Sequence, residues 1–296
     1  MRTGLVFLLC VVLASCAMTP NVEEKINGVS FVASRDSIQY HHIEPLLDIH
    51  ANYAAIMPFG FIRDLENPEL HYNSNRQWFG ETVSGSRQYI EELQAQNIGI
   101  MLKPQIWIGR GEFTGLVKME SEEDWQKLES SYSNFILDYA FLAEETNVEL
   151  FCIGTELEQF VQNRPDYWKN LIEKIKKIYN GKLTYAANWD EYGRVPFWEQ
   201  LDYIGIDAYF PLSEERTPSI AECERRWDKY KSDIKKLSSE TGKPILFTEY
   251  GYRSVDYAAK EPWQSGRDMP GINMEAQTNA TQALYNQFWD ETWFAG

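Results

Sequence analysis

Histidine and cysteine are both scarce in this chain of 296 residues, at four each. His41 and His42 are adjacent while His50 and His71 stand apart, so no zinc-ligand spacing can be read, and no metal or other cofactor is expected. Basic residues are outnumbered: 28 Lys and Arg face 44 Asp and Glu, a formal net charge of -16 spread along the sequence rather than gathered in a tail. Such a surface repels both a phosphate backbone and anionic head groups, which excludes nucleic acid as a partner. Beyond the N-terminus no apolar run reaches the roughly 20 residues that a spanning helix needs, so any membrane attachment has to come from the N-terminus. Internal repeats, low-complexity tracts and an interdomain linker are likewise missing. One domain over residues 27–296, large enough to bury a sizeable core, is the expectation, and a monomer is expected.

The N-terminus has the order of an export signal: Arg2, an apolar stretch over 5–13, then Leu13-Ala14-Ser15-Cys16. That last run resembles a bacterial lipobox. The resemblance implies a signal peptide over 1–15, Cys16 as the lipid-bearing first residue of the mature chain, a tether over 16–26, and a protein held at the cell envelope only through that anchor. Cys10 leaves with the signal. Cys152, in an apolar run, and Cys223, in a polar helical one, are expected as free thiols.

Further on, apolar β-rich runs alternate with stretches of helical period, the pattern of a parallel sheet with crossover helices. Strands are expected at 28–33, 53–62, 99–108, 148–155, 182–189, 203–210 and 244–250. Helices are expected near 38–48, 85–96, 122–146, 166–179, 196–201, 219–241 and 274–291. Trp125, Leu128, Tyr132, Phe135, Ile136 and Tyr139 show the recurrence at three and four residues that marks one apolar helix face. Seven such units predict a (β/α)8 barrel of the α/β class, with Trp293-Phe294-Ala295-Gly296 as the start of an eighth strand cut short.

In such a barrel the chemistry sits at the carboxyl ends of the strands. Those ends read Lys103-Pro104-Gln105-Ile106-Trp107, Gly154-Thr155-Glu156-Leu157-Glu158, Asn188-Trp189-Asp190, Asp207-Ala208-Tyr209 and Thr248-Glu249-Tyr250. Hydrolysis of a glycosidic bond needs two carboxyls, one protonated and one ionised, and Glu156 with Glu249 is the best-placed pair. Taken alone, either glutamate could equally serve a helix N-terminus. Alternation sends Glu158 to the opposite side, and Asp207 has a structural reading. Lys103 and Gln105 alternate into the same mouth, either to meet substrate hydroxyls or, for the lysine, to pair with a carboxylate. Trp78, Trp107 and Trp189 could offer flat faces to sugar rings or fill space between helices and barrel.

Four segments together resemble glycoside hydrolase clan A, and more narrowly family 113, whose characterised members are β-1,4-mannanases: Met101 through Trp107, Ile153 through Leu157, Ile204 through Pro211, and Lys243 through Gly251. The resemblance implies that Glu156 is the acid/base after the fourth strand and Glu249 the nucleophile after the seventh. Tyr209 falls where many clan members bond the nucleophile. Retention of configuration follows, with carboxyl groups about 5 to 5.5 Å apart. Two features depart from the clan: Thr155 stands where many members have Asn, and the eighth-strand Trp that floors the reacting subsite is not reached. A carbohydrate is the implied substrate, β-1,4-mannan first, with another β-glycan (xylan, β-glucan, β-galactan) or a binding lipoprotein without catalysis as alternatives. The signal reading has its own test: Cys16→Ser is expected to move the protein from the membrane to the soluble fraction of expressing cells, checked by fractionation and by mass analysis of the N-terminal peptide for lipid.

Overall fold

The computed structural model describes residues 24–264 and 271–296; Cys16, the signal segment and most of the expected tether lie outside them. The strands are β1 (Gly28–Phe31), β2 (Tyr53–Ile56), β3 (Phe59–Ile62), β4 (Leu70–His71), β5 (Gly99–Leu102), β6 (Gln105–Ile108), β7 (Leu150–Thr155), β8 (Lys182–Asn188), β9 (Ile204–Asp207) and β10 (Ile245–Glu249). The helices are α1 (Tyr40–Asp48), α2 (Val83–Gln94), α3 (Glu122–Glu145), α4 (Glu158–Asn163), α5 (Pro165–Ile175), α6 (Ile220–Thr241) and α7 (Met274–Phe288). Seven strands run parallel in the order β1-β2-β5-β7-β8-β9-β10 and form a nearly closed barrel with helices outside.

Side-chain alternation divides the core into two layers. Ala54, Ile56, Ile100, Leu102, Phe151 and Ile153 face the helices, where Tyr132, Phe135 and Trp168 meet them. Ala55, Met101, Leu150 and Leu246 point inward and plug the barrel with a small apolar layer. That layer lies at the base, so Lys103 and Thr248, two positions beyond Met101 and Leu246, stack above it.

The sheet differs from the sequence expectation at two places with one cause. The runs 53–62 and 99–108 each contain a proline, Pro58 and Pro104, which has no N–H to give to the ladder. Each run therefore breaks there. Lys103 N–H bonds Ile56 carbonyl at 2.8 Å and Gln105 N–H bonds Pro58 carbonyl at 2.9 Å, so both chains leave the barrel together. Beyond the bend β3 pairs with β6 and β4 in a separate three-stranded sheet that rises over the mouth. The helix expected at 196–201 is a single 3-10 turn, Trp198–Gln200, and α4 was not foreseen.

The last four residues lie between the two ends of the sheet. Trp293 and Ala295 exchange bonds with Ile245 at 2.9 and 2.7 Å, Phe247 N–H reaches Gly296 carbonyl at 2.9 Å, and Ile26 N–H reaches Ala295 carbonyl at 2.8 Å. Lys25 Nζ adds a bond to Glu291 carbonyl at 2.6 Å. The folded domain thus already includes Lys25 and Ile26, two residues expected in the tether. Phe294, 3% exposed, packs its ring against Phe247 and Phe288 at 5.0 and 5.5 Å. Phe294→Ala is expected to lower stability by about 3 kcal/mol, the low end for emptying a buried aromatic site, as read from the midpoint of urea unfolding.

Candidate active site

Along β5 the inward position after Met101 is Lys103, which is wholly buried. A buried ammonium costs several kcal/mol unless it is paired and hydrogen-bonded. Here Lys103 Nζ donates to Asp207 Oδ1 and Oδ2 at 3.0 and 3.2 Å and to Glu249 Oε1 at 2.5 Å. Asp207, at the end of β9, is itself 1% exposed and takes a further bond from the Thr248 hydroxyl at 2.7 Å. Lys103, Asp207 and Thr248 form a polar layer directly above the apolar plug.

Glu249 closes β10 one residue after Thr248, and strict alternation would turn it away from the interior. The ladder between β10 and β9 slips there, so that Phe247 pairs with Ile206 but Glu249 with Asp207. Such an irregularity re-aims a side chain, and this one turns Glu249 into the mouth. Its Oε1 takes Gln105 Nε2 at 2.9 Å as well as Lys103, and its Oε2 takes the Tyr209 hydroxyl at 2.9 Å. Burial by itself raises the Glu249 carboxyl; the Lys103 charge and the bonds from Lys103, Tyr209 and Gln105 outweigh it and hold the group below the usual carboxylate range. Burial and the repulsion of Glu249 push Asp207 up to about 7 against the pull of Lys103. Lys103 is lowered by burial and raised, in greater measure, by its two carboxylate partners, so it keeps its proton.

Glu156 follows β7, where the ladder to β8 also slips between Cys152 and Thr155. Its backbone is left-handed, with φ of 51°, a conformation that costs a non-glycine residue about 1–3 kcal/mol. Three bonds hold it: Glu156 N–H to Ala186 carbonyl at 2.8 Å, the Thr114 hydroxyl to Glu156 carbonyl at 3.2 Å, and Leu157 N–H to the Tyr185 hydroxyl at 2.7 Å. Burial, then repulsion from Asp207, Glu249 and Glu191 set against the pull of Lys103, raises the Glu156 carboxyl well above its ordinary value. Two glutamates whose surroundings drive them in opposite directions, one toward the ionised form and one toward the protonated form, are the equipment of paired acid and nucleophile chemistry.

The other residues singled out from the sequence divide. Gln105 and Tyr209 join Glu249 directly. Of the two readings of Lys103, contact with substrate is the one corrected: at zero exposure it lies beneath Glu249 and pairs with the carboxylates of Glu249 and Asp207. Thr155 sits half-buried at the end of β7 next to Glu156. Asn188 Oδ1 accepts the Trp189 N–H at 2.9 Å, which fixes the end of β8. Trp189 is half-buried and stacks on Trp263 at 5.5 Å, with the two planes 13° apart. Trp107, 52% exposed, follows Gln105 by two residues on β6 and so projects from the same face, farther from Glu249. With Trp78, Phe59 and Phe61 it lines a largely apolar groove of about 590 Å³ under the small sheet. Glu158 turns from the mouth to Arg194, whose Nε lies 2.7 Å away. Sequence reasoning missed Tyr185 and Glu191; a second carboxyl beside Asp190 was the only signal for the latter.

With this geometry in hand, comparisons place the chain among known proteins. The family model for Glycoside Hydrolase Family 113 matches residues 34–296. No curated protein sequence matches the chain. Among solved structures, a family 113 β-mannanase from Alicyclobacillus acidocaldarius superimposes with a TM-score of 0.80 at 23% identity, over 92% of this chain and 85% of that one. A family 113 β-1,4-mannanase gives 0.79 at 22% identity, over 92% and 87%. A β-glucuronidase from Faecalibacterium prausnitzii gives 0.59 at 17%, over 92% of this chain but 41% of its own. These likenesses show a shared barrel. The charge layer makes a prediction about stability: Lys103→Met removes the only cation bonded to Asp207 and Glu249 among the described residues and is expected to cost about 3–5 kcal/mol at neutral pH. Denaturant unfolding followed from pH 5 to 8 is the check, with the loss largest where both carboxyls are ionised.

Proposed function

Because the chain belongs to glycoside hydrolase family 113, and is therefore a glycoside hydrolase, we propose that it cleaves β-1,4-mannan with retention of configuration, Glu249 acting as nucleophile and Glu156 as acid and base. One observation carries the assignment of roles: Glu249 is bonded by three donors, Lys103, Gln105 and Tyr209, and is held low, while Glu156 is raised. The matched mannanases supply the sugar. The net charge of -16 agrees with a neutral polymer, since an acidic glycan would meet a repelling surface.

In the first step a Glu249 oxygen attacks the anomeric carbon, the glycosidic C–O bond breaks, and Glu156 gives its proton to the departing oxygen. Glu249 must enter this step ionised, and the ammonium of Lys103 beneath it supplies the compensating charge without entering the mouth. Glu156, now ionised, takes a proton from water; the water oxygen attacks the same carbon and Glu249 leaves as a carboxylate. The two inversions give net retention. Gln105 and Tyr209 fix the plane of the Glu249 carboxyl, and orientation of this kind removes a large part of the barrier to attack. The groove at Trp107 and Trp78 lies where further sugar rings of a bound chain can stack. We also propose that Cys16 carries lipid, so that the enzyme works at the cell envelope.

Activity requires Glu249 ionised and Glu156 protonated, so kcat/KM should fall on the acidic side as Glu249 gains its proton and on the alkaline side as Glu156 loses its own. Purified enzyme is expected to release reducing ends from mannan and from β-1,4-manno-oligosaccharides, with the β-anomer appearing first by NMR. Glu249→Ala should reduce turnover by about 10⁴-fold or more while leaving the fold intact. Initial appearance of the α-anomer would exclude the double displacement through Glu249; turnover of xylan, β-glucan or β-galactan in place of mannan would move the substrate, and binding without turnover would convert the reading to a glycan-binding protein.

A further inference from the structure

Beside the site, and used by no step above, a carboxyl is sealed in the wall of the barrel. Glu191 follows β8 and is 1% exposed. Its Oε1 accepts the Tyr185 hydroxyl at 2.8 Å and its Oε2 accepts the Asn188 N–H at 3.1 Å. Tyr185 is wholly buried on β8, its ring packed against Trp168, Phe197 and Trp198 at 5.7, 5.6 and 6.1 Å. The same hydroxyl that donates to Glu191 accepts the N–H of Leu157 at 2.7 Å. Leu157 is the residue after Glu156. A continuous chain of hydrogen bonds therefore runs from the left-handed turn of Glu156 to a buried carboxyl just after the neighbouring strand.

A buried carboxyl is costly, and a strand end that needed only a backbone acceptor could use an amide or a hydroxyl. An anionic terminus strengthens the whole chain, because a hydroxyl that donates to a charge is a better acceptor for the N–H behind it. Glu191 also adds negative charge near Glu156 without touching the mouth. We propose that Glu191 is a positioning residue for Glu156: acting through Tyr185 it fixes the strained turn that aims the acid, and its own charge favours the protonated form of Glu156.

The charged groups acting on Glu156 are Lys103 after β5, Glu191 after β8, Asp207 on β9 and Glu249 on β10. Around Glu191 stand Tyr185 of β8, Glu158 of α4 and Asp207 of β9, and burial lifts Glu191 itself to about 7. The sign is then fixed. Above that value Glu191 is ionised and opposes ionisation of Glu156; an uncharged amide in its place lets Glu156 lose its proton at lower pH.

The inference rests on Glu156 being the acid/base of the proposed reaction, and its test has one readout that does not need turnover. Glutamate labelled with 13C in the side-chain carboxyl is incorporated into the full chain, the Glu156 resonance is assigned by its loss in Glu156→Gln, and it is titrated in the wild type and in Glu191→Gln. The titration midpoint of Glu156 is expected to fall by about half a pH unit or more in Glu191→Gln, while that of Glu249 stays in place. In kinetics the alkaline limb of kcat/KM should move by the same amount and the acidic limb should not. Tyr185→Phe keeps the Glu191 charge but removes the acceptor for Leu157; kcat is expected to fall about tenfold or more with KM changed less than about twofold. It also carries the test if Glu191→Gln does not fold. A Glu156 midpoint unmoved in Glu191→Gln, or a loss of thermal stability in Tyr185→Phe with no change in kcat, overturns the proposal. A wild type that turns over no β-glycan sinks the assigned reaction instead, and the NMR midpoint still decides the role of Glu191.

Discussion

The arrangement of the site depends on one ammonium group with no access to water. Lys103 stands on top of the apolar plug of the barrel, and it can stay charged there only because Asp207 and Glu249 come to it from β9 and β10. That requirement fixes the heights of three strands relative to one another. Glu249 is thereby held ionised from below while its other contacts, Gln105 and Tyr209, approach from the sides. Glu156 is raised first by its own burial, and the same cluster adds to that rise, since Asp207 and Glu249 repel a further negative charge in more measure than Lys103 attracts it. Burial and negative neighbours on one side, and a bonded cation on the other, thus separate the protonation behaviour of two chemically identical side chains.

Much of the barrel was legible in the sequence because its physics is local. Apolar β-rich runs located the seven strands, and the three-and-four spacing of Trp125 through Tyr139 located the helix that covers them. Pro58 and Pro104 were equally visible, yet their consequence depends on a fact no single segment contains: the two prolines sit at the same height on adjacent strands, so both chains bend away together and build the small sheet. That sheet carries Gln105 and Trp107.

The aim of the two glutamates was harder to read. Alternation alone places Glu249 with its back to the mouth, since Thr248 already points inward to Asp207. Only the slip of β10 against β9 corrects this, and a slip is a property of pairing, to which the residues Phe247-Thr248-Glu249 give no clue. Glu156 has a similar history, with a positive φ that its neighbours impose from Ala186, Thr114 and Tyr185, each distant in sequence. Lys103 shows the limit from the other direction. Its position on the strand was correctly placed facing the interior, but whether it reaches substrate or lies beneath a carboxylate is decided by depth, and depth is a sum over all the strands.

The join between the two edges of the sheet lies far from the paired carboxyls. Ile26 and Ala295 are bonded to one another at the foot of the barrel, where β1 begins, while Glu156 and Glu249 lie at the opposite rim. The bonds that join the two edges of the sheet therefore bear on its base and leave the rim that holds the glutamates free of them.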